Sequence, residues 1–258
     1  MSHIHLPDGV LPPIWWILGF VLSFILLWFF ARRIQGDEAR KKIPFVGVIS
    51  ALMLIFMSIP LGFLPVHLSL AVLCGILAGP GLGFIAVFVV NTILALMGHG
   101  GFTTIGINTL LMGGEAIIGY YIFKALSKKI NYTSSAITAN VVALLLSTVL
   151  MVLIVGSTVG LIEALPLHNH DHDHDHEIVS HEHGNESSDN DHDHESHSHD
   201  DEHEKSELEG FNFLSLSGWS AVIIVILSGI LIESLVTGLI IRFFSKVRPD
   251  FIDSAHLT

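Results

Sequence analysis

Charge is scarce in this sequence. Only 14% of its 258 residues are Asp, Glu, Lys or Arg, while 51% are hydrophobic. That balance is too apolar for an ordinary water-soluble domain. Lys and Arg number just twelve, which leaves no basic patch to hold nucleic acid. Cysteine is almost absent. The single Cys74 lies in an apolar run, so the chain has neither a disulfide framework nor a thiolate metal cage of its own. No lysine follows a glycine, and no His-Glu-x-x-His occurs. A phosphate-cradling Walker loop and a zinc-protease helix are both missing.

The formal net charge of −12 is a local property. Sixteen of the 24 acidic residues lie between Asp171 and Glu209, and twelve of the 17 histidines lie between His168 and His203. Without that segment the chain is nearly neutral. The stretch beginning "HNHDHDHDHEIVSHEHG" is of low complexity and holds too few apolar residues to offset the entropy of folding. A disordered loop is expected there, not a domain.

The rest reads as membrane helices, since about 20 apolar residues cross the hydrocarbon core. The spans are expected at Ile14 to Ala31, Ile43 to about Leu64, 68–79, 82–97, Thr104 to Leu126, Ala136 to Leu165 and Ser217 to Phe244. The first is not a cleavable signal, because its positive charge follows the apolar run. Gly79-Pro80-Gly81 should break the run from His67 to Met97 into two helices, the first too short to cross alone. The expected fold is an all-α integral membrane protein of about seven helices with a disordered His-rich loop.

Basic residues orient such a bundle. Arg32, Arg33, Arg40, Lys41 and Lys42 lie between spans one and two. Lys124, Lys128 and Lys129 lie between spans five and six, and Arg242, Lys246 and Arg248 follow span seven. With seven spans these groups share one side, expected to be cytoplasmic. The amino terminus, the approach to His67, the turn "GHGG" and the His-rich loop then share the outside.

Neutral imidazole binds nickel, copper, zinc and cobalt well. The His-rich loop could collect such ions near a defined site, but it specifies no geometry. Its His168 to His174 match to H-x4-D-H is an accident of the repeat. The candidate ligands outside the loop are His3, His5, His67 and His99. A lone histidine at a membrane interface is more often structural, yet all four are expected on one face. A free α-amine, a deprotonated amide and a following imidazole form fused chelate rings, and such nitrogen sets favour a square plane. With Met1 kept, His3 completes a terminal site with the amine and two amides. With Met1 removed, Ser2 supplies the amine and His3 the amide and imidazole, with His67 the natural fourth ligand. Asn91, Asn108, Glu115, Asn140 and Glu233 fall within spans. The asparagines read as interhelical hydrogen bonds. Glu115 and Glu233 could be such bonds or a network shaping the site. The spans hold no H-x3-D or H-x4-D-H pair, so uphill metal movement would need a partner's energy.

Four stretches carry a resemblance. "HLPDGVLPP", "PVHLSLAVLCGILAGPGLG", "HGGFTTIGINTLLMG" and "IESLVTGLIIRFFSKVRPDFI" together resemble the CbiM/NikM family, in order and over nearly the whole chain outside the His-rich loop. These are substrate-binding S components of energy-coupling-factor transporters for cobalt and nickel. The resemblance implies a single membrane domain over 1–258: a metal-binding plug at 1–13, helices at 14–165, the His/Asp-rich loop at 166–216, a last helix at 217–245 and a cytoplasmic tail at 246–258. It also implies a metal held by the terminal amine, the second residue's amide and imidazole, and a histidine before the third span. His67 matches that last ligand, and Asp8-Gly9 matches an acidic-Gly turn. Register against the turn makes His5 the first histidine, whereas the terminus favours His3. The expected ligands are, in order, His67, His5 and His3, with the amine from Ser2 or Met1. His99 matches a position near the site and is assigned no ligand role.

The implied activity is capture of Co²⁺ or Ni²⁺ at the outer face of the cell membrane, without catalysis or a resident cofactor. The implied partners are a membrane T component, one or two ABC ATPase subunits and a small two-span accessory protein. A stand-alone secondary metal transporter and a membrane-anchored metal buffer are the alternatives.

Overall fold

The computed structural model describes residue 9 and residues 11–34, 37–59, 67–159 and 219–248. Seven helices run through them: α1 (Pro13–Arg33), α2 (Asp37–Ser58), α3 (Ala71–Ala78), α4 (Pro80–Leu96), α5 (Ile105–Leu126), α6 (Tyr132–Val159) and α7 (Trp219–Val247). Helices α1, α5, α6 and α7 are long and apolar enough to cross a membrane; α2 and α4 contribute shorter apolar helices.

The 21 residues of α1 span about 31 Å at 1.5 Å per residue, close to the thickness of a hydrocarbon core. Pro13 starts the helix where a missing N–H costs nothing. Arg32 and Arg33 close it, and their guanidinium groups lie over Trp28 and Phe29 at 3.9 and 4.4 Å. Charge in the last turn suits both the helix dipole and the interface.

Helix α7 shows why the bundle belongs in hydrocarbon. Leu227, Leu231, Leu235 and Leu239 recur every fourth residue and are exposed. Glu233, Ser234 and Thr237 are buried on the other face. A water-soluble helix would be turned the other way.

Helix α5 is the hub, packed by α1, α3, α4 and α6. Close approaches at glycine fix the crossings. Gly75 on α3 rests on the Ala116 carbonyl of α5, and Gly106 on α5 rests on the backbone of Gly19 and Phe20 in α1. The Ser23 hydroxyl donates to the Gly106 carbonyl at 2.7 Å. Rings of α1 and α4 meet in antiparallel order, Phe24 with Phe88 and Phe30 with Phe84. Asn140 of α6 donates from Nδ2 to Ser234 Oγ of α7 at 3.0 Å, and Gly238 packs on Ile137, so that pair is antiparallel too. The ring of Phe45 in α2 meets Phe244 of α7 at 5.7 Å.

These pairings gather Arg32, Arg33, Lys42, Lys124, Lys128, Lys129, Arg242, Lys246 and Arg248 at one end of the bundle, here the basic end. His99 lies at the other, and His67 lies beside it.

Helix boundaries depart from expectation in two instructive places. Span two begins at Asp37, not Ile43, because a helix can carry its charged first turns beyond the hydrocarbon. Span three begins at Ala71, not 68: residues 67–70 are not helical. Span six begins at Tyr132, and its expected end at 160–165 lies outside the described residues, as does the whole His-rich loop.

Candidate metal-binding site

The four residues before α3 form the irregular centre of the bundle. Ser69 and Leu70 have no exposed surface, and every residue of α3 is buried. Leu70 takes a left-handed conformation (φ 54°, ψ 18°), and among the described residues no other side-chain-bearing residue has positive φ. A non-glycine there costs about 1–2 kcal/mol. The backbone N–H groups ahead of a helix also have no carbonyl to meet, and hydrocarbon offers no water in exchange.

Glu233 resolves this from α7. Its Oε1 accepts from Ser69 Oγ at 2.8 Å and from the Leu70 N–H at 3.1 Å, and its Oε2 accepts from the Ser69 N–H at 3.3 Å. Ser69 Oγ in turn accepts from the Ala71 N–H at 3.2 Å. The Leu70 carbonyl starts the α-helical ladder by accepting from the Cys74 N–H at 2.9 Å. One carboxylate therefore satisfies the N–H groups ahead of the helix and holds the strained Leu70 together with Ser69. Both readings open for Glu233 remain compatible with these bonds, which tie α7 to the segment before α3. Glu115 is buried on α5.

His67 opens this segment and is half-buried. Its ring lies 6.5 Å from that of His99, centroid to centroid, with an interplanar angle of 83°. His99 is exposed, on a tight turn after α4. Its N–H donates to the Leu94 carbonyl at 2.8 Å. Gly98 (φ +81°) and Gly100 (φ +91°) flank it in conformations that a side chain would strain. Around the turn, Thr104 Oγ1 donates to the Gly101 carbonyl, Asn108 Nδ2 donates to Thr104, and Asn91 Nδ2 of α4 donates to Thr109 of α5. Asn91 and Asn140 thus tie helices together, as the sequence suggests, whereas the bond from Asn108 to Thr104 stays at the start of its own helix.

Among the expected ligands, His67 is the described one. His3, His5, Ser2 and Met1 lie outside the described residues. No group of three or more His, Cys, Asp or Glu that could hold a metal occurs among the described residues. Buried Cys74 lies on α3 as core. The arrangement brings two imidazoles together, one half-buried and one exposed. The resemblance places His99 near the site without a ligand role, and its ring does stand beside that of His67. A separate groove of about 680 Å³ between α1, α2 and α4 is lined by apolar residues such as Ile34, Leu54 and Ile93, with Ser50 the one hydroxyl. It offers nothing to a cation.

Known proteins share this architecture. The chain superposes on a crystal structure of a transition metal transporter with a TM-score of 0.63, covering 95% of this chain and 93% of that one at 19% identity. It is 33% identical over 132 residues to a cobalt transport protein of Salmonella typhimurium, covering 47% of this chain and 52% of that protein. A candidate metal transport protein of Haloquadratum walsbyi is 30% identical over 159 residues, covering 59% of this chain and 72% of that protein. The pattern that defines CbiM, the cobalt uptake substrate-specific transmembrane region, matches residues 5–251, and this chain belongs to that family.

Proposed function

We propose that this chain captures Co²⁺ or Ni²⁺ from outside the cell membrane as the S component of an energy-coupling-factor transporter. A separate membrane T component and ABC ATPase subunits drive release inside, and a two-span accessory protein accompanies them. The observation that carries this reading is the seating of His67. A half-buried imidazole, two residues before a buried stretch that Glu233 holds at Ser69 and Leu70, is placed as a ligand would be and not as a fully solvated surface residue. The match to the family over residues 5–251 supports the same reading.

The remaining ligands come from the amino terminus. The α-amine of Met1 or Ser2, a backbone amide, and His3 or His5 complete a nitrogen set around the ion with His67. Such a set favours planar coordination, which suits copper(II) or nickel(II) and tolerates cobalt(II). The basic end of the bundle faces the cytoplasm, by the positive-inside rule, and the histidine end faces out. The His-rich loop raises the local concentration of metal at that end. The chain catalyses nothing; it binds, positions and hands on an ion.

The test is metal content and affinity of the purified protein lacking 168–204, with His67→Ala beside it. Mass spectrometry of the same samples reads whether residue 1 or 2 carries the amine. One tightly bound nickel or cobalt per chain, lost with His67, is expected. No stoichiometric metal in the deleted protein would make the loop the binding element and the protein a membrane-anchored buffer.

A further inference from the structure

Nothing local in the sequence brings His99 to His67; α3 and α4 lie between them in the chain. Their rings nevertheless stand 6.5 Å apart, nearly perpendicular. With metal–nitrogen bonds of about 2.0–2.1 Å, a bound imidazole has its centroid about 3 Å from the ion. Two imidazoles on opposite sides of one ion then lie about 6 Å apart. Perpendicular planes do not oppose that arrangement. The observed spacing is within a small side-chain adjustment of a shared ion.

The two rings are mounted differently. His67 is half-buried, two residues before the stretch that Glu233 holds at Ser69 and Leu70. His99 is exposed on a turn whose two flanking glycines have positive φ. Its backbone is anchored at Leu94, and its side chain stands at the histidine end, where an arriving ion meets the bundle. From these observations we infer that His99 is a second imidazole ligand, which takes the incoming ion and holds it against His67. The step is ligand exchange: one metal–nitrogen bond forms for each metal–water bond that breaks, and no electron moves. This rests on the proposed function, in which His67 binds the transported ion.

The experiment uses the purified full chain, stripped of metal, with His99→Ala, His99→Gln, His67→Ala and the double variant His67→Ala/His99→Ala. Rapid mixing with Ni²⁺ or Co²⁺ reads the rate of capture, and the visible absorption of Co²⁺ reads its ligand field. The His-rich loop is common to all five proteins. Loss of His99 is expected to slow capture about tenfold, the lower range for removing a supporting partner of a metal site, and to change the early cobalt spectrum. The slowing should vanish when His67 is already absent. A His99→Ala protein that matches the parent in rate and spectrum, while His67→Ala loses binding, would overturn this inference and leave the proposed function standing. A His99 effect undiminished without His67 would also overturn the shared ion. Parent-like binding by His67→Ala would overturn both.

Discussion

Helix α1 and the segment 67–78 sit in one bundle and solve opposite problems. Most of α1 is exposed and apolar. Between its ends the backbone groups find their partners within the helix, so regular geometry and greasy side chains suffice there. Segment 67–78 is nearly all buried, and its first four residues are not helical. Its N–H groups and its left-handed Leu70 need an acceptor from another helix, which Glu233 supplies. Hydrocarbon thus accepts a regular helix unaided, whereas irregular backbone must be enclosed and held by protein. The enclosed, irregular segment is also the one that carries the candidate ligand.

Four substitutions would break or sharpen that contrast. Glu233→Ala should have the largest effect. It strands two buried N–H groups at about 1–3 kcal/mol each, so a loss of about 4 kcal/mol is expected in thermal unfolding in detergent. Metal affinity should fall with it, and Glu233→Asp should recover part of both. Next is His67→Ala, which should weaken Ni²⁺ or Co²⁺ binding at least about a hundredfold, equivalent to about 2.7 kcal/mol at 1.4 per decade. Calorimetry checks the affinity, and an unchanged melting curve would separate the ligand from the clamp. Gly75→Ala comes third. Its new Cβ meets the Ala116 backbone, and about 2 kcal/mol of overpacking cost is expected in the same melts. Leu146→Ala on the exposed face of α6 should be smallest, within about 0.5 kcal/mol. A large effect at Leu146 with none at Glu233 would reverse the contrast.

The sequence makes the regular part legible and the irregular part less so. Seven helices, the break at Gly79 and the alternation that gathers the basic residues at one end follow from local hydropathy and glycine-proline punctuation. His67 stood out as a polar residue at the edge of an apolar run. The helical reading of 68–70 failed because "HLSLAVL" is locally a good helix start. The extended path there depends on a carboxylate far along the chain, which no local pattern encodes. The role of Glu233 stayed open for the same reason: an intramembrane acid signals a task without naming its partner. His99 and His67 were placed on one face by counting helices, but their distance depends on how α3 and α4 fold back on each other around Gly79, a positive-φ residue (φ +91°). His3, His5, Ser2 and Met1 lie outside the described residues, so those expectations stand as the sequence states them.

The long reach of Glu233 also sets an order of events during synthesis. Its bonds to Ser69 and Leu70 close sequence separations of 164 and 163 residues. At translation rates of about 5–20 residues per second, the segment waits on the order of ten to thirty seconds for its clamp to be made. Until the last helix inserts, residues 67–70 have no reason to hold their native path. The bonds that hold Ser69 and Leu70 therefore form only when the bundle is complete.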